Sequence, residues 1–428
     1  MLDIKFIKEN IEQVKEICEY KNINIDIDRL VILEEEKRHL QTKIETLRSK
    51  RNEISDRMKK SREDDLIKQS RIIKDEIEKL EKEFDQAKEE YEAIYAMVPN
   101  IVSQSTKKDK DPSANEIIKK VGKIPTFNFP IKDHIQLGLD LDILDLENGT
   151  KVHGFRGYYL KGLGAILHNA ILNFAFDKIV KKGFTPMTVP AIVKGFTFFG
   201  SGFFPYLKDE VYKISNSEDA FLAGTSELSL LGYYNNETID QKNLPIKICA
   251  ISPCFRSEAG SYGKDTKGLY RIHEFSKVEQ VVICDNDIEK SQKYFQEMLS
   301  VSEEMVNDLK LPYQVINLCS SDMGAGKYYA NDIETYMPSR NGYGETHSCS
   351  NLTDWQTRRS NIKFKDSTGE KHFCFALNNT VVASPRILIA ILENYQQKDG
   401  SVKIPKVLQK YFPKKNKIIK INKNKNAC

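Results

Sequence analysis

The sequence predicts an α+β protein: an antiparallel sheet carrying helices, preceded by an N-terminal antiparallel α-helical coiled-coil arm. Three observations predict it. From Leu30 to Ile94 there is neither Gly nor Pro, charged residues dominate and apolar residues recur in heptads. Beyond Pro130 the texture changes to aromatics, β-branched runs and glycines. There, strand-like and helix-like stretches mix without regular β-α-β alternation, which favours an antiparallel sheet over a doubly wound one.

The arm comes first. Leu30, Leu33, Leu40, Ile44, Leu47, Ile54 and Met58 fall on alternating steps of three and four once Lys37 and Arg51 fill two seam positions. After Ser61–Asp65 the pattern resumes at Leu66, Ile73, Ile77, Leu80, Phe84, Ala87, Tyr91 and Ile94, with Ser70 as a polar seam position. Facing seams joined by a short polar turn read as a hairpin, each helix ~50 Å long at about 1.5 Å per residue. The seam is too narrow for a helix sunk in a globule, so the hairpin is expected to project into solvent. Arg48, Lys50, Arg51, Arg57, Lys59, Lys60 and Arg62 crowd its outer end. These residues fit two uses: a spacer or dimerisation coil, or a probe for nucleic-acid phosphates.

Residues 101–130 are polar, carry Pro112, Pro125 and Pro130, and read as a linker. Beyond them, helices are expected at Gly164–Lys182, Asp287–Leu309 and Arg386–Gln396, and strands at Ile246–Ile251 and Val278–Cys284. The end, Lys414–Cys428, is rich in Lys and Asn and reads either as a frayed basic tail or as an auxiliary RNA contact.

Composition narrows the class. The 428 residues are 40% hydrophobic, enough for a sizeable core. The net charge of +4 excludes a wholly basic nucleic-acid coat but conceals local patches. The first ten residues hold no apolar core of a secretory leader, and no run approaches the roughly 18 apolar residues of a membrane span, so no membrane partner is expected. Eight cysteines form no Cys-x-x-Cys pair; free thiols and a cytoplasmic location are expected, without structural zinc. No Gly-x-x-x-x-Gly-Lys-Ser/Thr loop is present, which argues against a P-loop ATPase.

Three segments carry chemistry. Phe255-Arg256-Ser257-Glu258 and Tyr270–Glu279 flank a glycine-bearing loop and read as a hairpin with a long mobile tip. Arg256, Glu258 and Glu279 are candidates to share one sheet face, a guanidinium for phosphate or carboxylate beside carboxylates for an amine. An isolated surface Arg–Glu pair is the alternative. Gly344–Asn351 offers Glu345 and Ser348 as oxygen ligands suited to Mg²⁺ held with ATP phosphates; a hydroxyl-rich turn is the alternative, with His347 a hydrogen-bonded polar residue. Finally, Phe375–Thr380 runs into Ser384-Pro385-Arg386 and a helix. A cation at a helix start opposes the dipole, so Arg386 either meets a bound anion or is a solvated surface arginine.

Taken together, these segments resemble the class II aminoacyl-tRNA synthetases. Phe255–Glu258 with Arg271–Glu279 is similar to motif 2 of that class, Asn378–Gln396 to motif 3, and Lys178–Pro190 to the motif 1 that builds its dimer interface. The nearest resemblance is to the bacterial seryl-tRNA synthetase family and covers nearly the whole chain. It implies a tRNA-binding coiled-coil domain at 1–100, the linker, a class II catalytic domain at 131–412 and a basic tail at 413–428. It also implies ATP and Mg²⁺ as cofactors, L-serine and serine tRNA as substrates (with selenocysteine tRNA where present), a homodimer, and an arm that meets the long variable arm of the tRNA.

The resemblance implies roles by residue. Arg256 would contact the α-phosphate and the serine carboxylate. Glu258, beside Ser257, would meet the adenine amino group and Phe275 would stack on the ring. Glu345 and Ser348, with Thr346 and His347 between them, would hold ATP and Mg²⁺, and Arg386 the γ-phosphate. Thr225, Ser226 and Glu227 match the serine-site segment, while Glu279 and Thr380 would read the serine amine and hydroxyl. This chain departs from the family pattern at Asn379, Thr380 and Val381, where Asn378 is commonly followed by Gly-Ser-Gly. It departs again at Pro385 for Gly, Gly344 for Arg, and His347 for a small residue. A paralogue that loads a carrier protein and a non-catalytic RNA-binding homologue are the other readings; the intact arm argues against the first, and Arg256, Glu345 and Arg386 against the second.

Overall fold

The computed structural model describes residues 1–61, 64–259, 267–413 and 416–420. It divides into two compact units, Met1–Pro99 and Asn100–Cys428.

The first unit opens with helices α1 (Ile4–Glu9) and α2 (Ile11–Tyr20), followed by the long α3 (Ile27–Lys60) and α4 (Asp64–Ala96). Asp26 caps α3 by accepting from the Arg29 N–H at 2.8 Å. Every seam position read from the heptads, Lys37, Arg51 and Ser70 included, is buried or half-buried, while their flanking residues are largely exposed. Lys37 is tolerated because its ammonium lies 3.7 Å from the centre of the Tyr91 ring on the facing helix. Arg29 grips Glu90 through two bonds of 2.8 and 2.7 Å, which fixes the pairing of the helix ends. Near the outer end Arg48 pairs with Glu81 and Lys59 with Asp56, whereas Lys50, Arg57 and Lys60 are exposed. Arg62 lies outside the described residues.

The second unit is built on an eight-stranded sheet. Its strands are β1 (Glu116–Val121), β2 (Thr185–Pro186), β3 (Ile246–Phe255), β4 (Glu274–Cys284), β5 (Tyr313–Asn317), β6 (Tyr329–Met337), β7 (Gly342–Asn351) and β8 (Phe375–Ala383). They lie in the order β1-β5-β6-β7-β8-β4-β3-β2 and pair antiparallel except for β2 with β3. The linker expectation is corrected here. Residues 116–121 form the edge strand β1, paired with β5, because backbone pairing to an open sheet edge needs no apolar pattern in the added strand.

Period-two alternation sorts the sheet into two faces. Val278, Val282 and Cys284 of β4, with Leu377 and Val382 of β8, face the main core. That face is covered by α5 (Leu163–Lys181), α6 (Ile288–Asp308) and α7 (Ser384–Asn394). α5 is long and apolar enough to cross a membrane; here its Leu167, Ala170, Ile171, Ala175 and Ile179 pack into that core. Val281 and Ile283 point the other way, into a smaller cluster with Leu230, Ile248 and Phe364. Trp355, fully buried, seats against Gly202 and Gly326, where an added Cβ would come within 2.4 and 2.6 Å of its ring. The tail reading is also adjusted: Ile418–Ile419 pairs with Val402–Lys403, and Ile419 is buried in the main core. The cysteines among the described residues are buried and free of disulfides.

Candidate active site

Register places the candidate residues on one face. On β4, Phe275, Lys277 and Glu279 alternate outward on the face opposite α5–α7. Opposite them on β3 stand Cys254, Ser252 and Ala250, so Arg256, one step past the strand end, emerges on the same side. On β8, Thr380 faces Glu279, and Asn378 lies two residues before it. On β7, Ser350 is registered with Asn378, and Ser348 follows the same alternation. Five adjacent strands, β3, β4, β8, β7 and β6, thus aim polar side chains at one surface.

A bulge completes the set. Glu345 and Ser348 are three apart, so a regular strand would send them to opposite faces. The register of β7 against β6 shifts between them: Ser348 pairs with Asp332 and Glu345 with Glu334. Residues 332 and 334 are two apart, so both β7 residues face the site. The residues between them do not. Thr346 and His347 are each 1% exposed and turn to the helix-covered face. The Thr346 hydroxyl donates to the Ile333 carbonyl and bonds Thr335 and His347. Their side chains therefore turn away from the site, which leaves only their backbone for the ATP contact that the resemblance implies.

At the cation end, Arg386 donates to Glu345 Oε2 at 3.1 Å and to the Glu345 carbonyl at 3.2 Å, with its guanidinium 4.6 Å from the centre of the Tyr270 ring. It is thus neither a solvated arginine nor dependent on an anion for a partner. Burial would raise the Glu345 carboxyl, but Arg386 and Lys327 hold it below its ordinary value. Asp332 is buried, and burial together with the Glu345 charge pushes its carboxyl up. Its Oδ1 is buried without a hydrogen-bond partner among the described residues. Two carboxylates and the Ser348 hydroxyl, with one orphaned oxygen among them, fit a hard divalent cation.

At the strand ends, Arg256 Nε donates to the Gly224 carbonyl at 3.3 Å, and its guanidinium lies 5.5 Å from the Phe275 ring centre. Ser257 is turned away, its hydroxyl donating to the Asp209 carbonyl. Glu258 lies beyond β3 with φ 54° and pairs with Arg271 at 2.9 Å, so it does not share the strand alternation of Arg256 and Glu279. Residues 260–266, the expected mobile tip, lie outside the described residues.

The inner pocket is denser than the sequence suggested. Lys277, 5% exposed, pairs with Glu279 and donates to Thr225 at 2.7 Å and Thr380 at 3.2 Å. Thr380 donates to Glu279 at 3.1 Å. Glu227 Oε1 accepts from Gln356 at 2.6 Å and Asn378 at 2.7 Å, and burial with the nearby Glu279 charge raises its carboxyl. The Ser226 hydroxyl is buried without a hydrogen-bond partner among the described residues. Sequence reading missed Lys277, Gln356, Lys327 and Asp332. Lys277 was findable, since a residue two before Glu279 shares its face; the other three reach the site only through tertiary placement.

The departures from the family pattern mostly miss the pocket. Asn379 faces α6, where its amide donates to the Met298 carbonyl and to Ser302, and it also donates to Gln280 on β4. Val381 sits at a bulge and is buried in the main core. A Cβ at Gly344 would come within 3.1 Å of Tyr270, whose ring also stacks under Arg340 at 3.9 Å. Pro385 occupies the first turn of α7, where its missing N–H costs no helical bond.

An antiparallel sheet backed by helices, with an arginine at the end of one inner strand and another on the helix that follows a second, is the architecture of a class II aminoacyl-tRNA synthetase. Residues 211–395 match the tRNA synthetase class II core domain (G, H, P, S and T), and residues 1–102 match the seryl-tRNA synthetase N-terminal domain. The chain belongs to the seryl-tRNA synthetase family. It is 42% identical over 419 residues to the serine–tRNA ligase of Borreliella afzelii, covering 96% of this chain and 98% of that one. Among solved structures, seryl-tRNA synthetase from Pyrococcus horikoshii complexed with ATP superposes with a TM-score of 0.89 at 36% identity, covering 99% and 100% of the two chains. The cytoplasmic serine–tRNA ligase of Naegleria fowleri in complex with AMP gives 0.85 at 32% identity, covering 99% of each.

Proposed function

We propose that this chain joins L-serine to serine tRNA in two ATP-dependent steps on the polar face of the sheet. The observation that carries the reading is that face itself, where Arg256, Glu279, Thr380, Glu345, Ser348 and Arg386 converge from separate strands and α7. The serine carboxylate attacks the α-phosphorus of ATP, pyrophosphate leaves and seryl-adenylate forms. The terminal ribose hydroxyl of the tRNA then attacks the activated carbonyl, releasing AMP. Neither step requires a protein nucleophile, so the residues act by positioning and by matching developing charge.

Arg256 neutralises the α-phosphate and orients the serine carboxylate, with Phe275 beside it for the adenine ring. Arg386 exchanges part of its contact with Glu345 for the γ-phosphate. Glu345 and Ser348, with Asp332 behind them, would hold Mg²⁺, which supplies charge neutralisation to the phosphates. Glu279 receives the serine ammonium, and Thr225 and Thr380 read its hydroxyl. Glu227, tied to Gln356 and Asn378, buttresses that wall. The arm, residues 1–100, binds the long variable arm of the tRNA through phosphate contacts, and residues 131–412 do the chemistry. The protein works as a homodimer in the cytoplasm, with motif 1 at the subunit interface.

Purified protein should exchange pyrophosphate into ATP only with serine present, and should charge serine tRNA. Exchange that responds to another amino acid and not to serine would sink the assignment.

A further inference from the structure

We propose that Lys277 is a positioning residue that fixes the hydrogen-bond polarity of the serine pocket, making Thr380 an acceptor and Thr225 a donor toward the substrate hydroxyl. The inference deepens, and rests on, the serine-ligase reading.

The argument is a count of donors and lone pairs. An ammonium has three N–H donors and no acceptor. Lys277 spends all three on Glu279, Thr225 and Thr380. It is 5% exposed, so none of these bonds trades freely with water. A hydroxyl has one proton and two lone pairs. Thr380 gives its proton to Glu279 Oε2 and takes one N–H from Lys277, so it retains a single lone pair. Thr225 Oγ1 accepts from Lys277 at 2.7 Å and from the Glu227 N–H at 3.3 Å, so both lone pairs are filled and only its proton is left. The pocket therefore presents one acceptor and one donor, both hydroxyls tethered to the same ammonium. A substrate hydroxyl both gives and takes a proton and satisfies the two together. A methyl group satisfies neither and leaves the buried Thr225 and the half-buried Thr380 unpaired beneath it.

Without the ammonium both threonine hydroxyls are free to rotate, while Thr380 keeps its bond to Glu279. The pocket then no longer holds one acceptor and one donor in fixed orientation, and alanine is penalised less. Neither bond to Glu279 uses Oε1, which remains for the substrate ammonium. Lys277 also places a positive charge beside Glu279, whose negative charge acts on Glu227.

The test is pyrophosphate exchange with serine and with alanine, with kcat and KM for each, on the full chain, Lys277→Met and Lys277→Arg, together with thermal unfolding. In K277M the serine kcat/KM should fall about a hundredfold while the alanine value changes by less than about threefold, with the KM for ATP unchanged. K277R keeps the charge for Glu279, but its planar fork cannot reproduce the three-way geometry. It should fold even where K277M does not, and lose about tenfold in serine-over-alanine preference. Parallel losses for both amino acids, or unchanged preference in K277R, would overturn the role. Wild-type protein with no serine-dependent exchange would instead overturn the serine-ligase reading.

Discussion

Glu345 and Ser348 face the same side of the sheet although their positions on one strand are three apart, because a bulge opposite Ile333–Glu334 absorbs the extra step. Both are therefore available to one cation, while Thr346 between them is not. Ser348→Ala should raise the Mg²⁺ concentration that half-saturates pyrophosphate exchange severalfold and leave the melting temperature nearly unchanged. Thr346→Val should do the reverse: it keeps the Mg²⁺ dependence and loses about 1 kcal/mol of stability with the bonds to Thr335 and Ile333. A Thr346→Val protein with altered Mg²⁺ dependence would contradict the placement.

Arg256 is the strand-end cation nearest Phe275, and no described carboxylate forms a salt bridge with it. Its charge is thus available to substrate. Arg256→Ala should lower serine-dependent exchange by at least about a hundredfold, the scale for losing one preorganised charge partner of a transition state. Circular dichroism and the melting curve should stay close to wild type.

Asn379 points into α6 and not into the pocket. Asn379→Ala should cost roughly 1–3 kcal/mol of stability by leaving buried partners unsatisfied, and shift the KM for serine by less than about twofold. A large change in KM with unchanged stability would place the side chain on the wrong face.

Glu393 is fully buried on α7. Burial pushes its carboxyl up, but bonds from His134 and from the Ser339 N–H and hydroxyl more than offset this and hold it below its ordinary value. A depressed acid stabilises the fold above its unfolded pKa of about 4.3 and loses that contribution as pH falls through the folded value. Glu393→Gln should therefore be less stable than wild type at pH 7, and the gap in unfolding free energy should close as the pH is lowered below about 4.3. A gap that persists unchanged to pH 3 would show that the charge is not the source.

The arm prediction separates the two steps. Deleting Asp26–Met97 should leave serine-dependent exchange largely intact and abolish charging of serine tRNA, since every residue assigned to adenylate formation lies beyond 200. Charging by the full chain should also weaken steeply between about 50 and 200 mM salt. Normal charging by the truncated protein would refute the arm's part.

The sequence by itself determined whatever depends on local periodicity. The heptads gave both arm helices and each seam position, down to Lys37 and Arg51, because a coiled coil buries what its own spacing dictates. Helices α5, α6 and α7 and strands β3 and β4 were legible for the same reason; residue chemistry offered Arg256, Glu258, Glu279, Glu345, Ser348 and Arg386 as candidates beside structural alternatives, and the family resemblance assigned their roles. Tertiary structure decided what periodicity cannot carry. A polar stretch became strand β1 because an open edge offered backbone partners. A one-residue bulge reversed the facing of Glu345 relative to Thr346 and His347. Lys277, Gln356 and Asp332 joined the site because strands and loops distant in sequence bring their charges and amides within hydrogen-bond range, where burial makes each unpaired group costly.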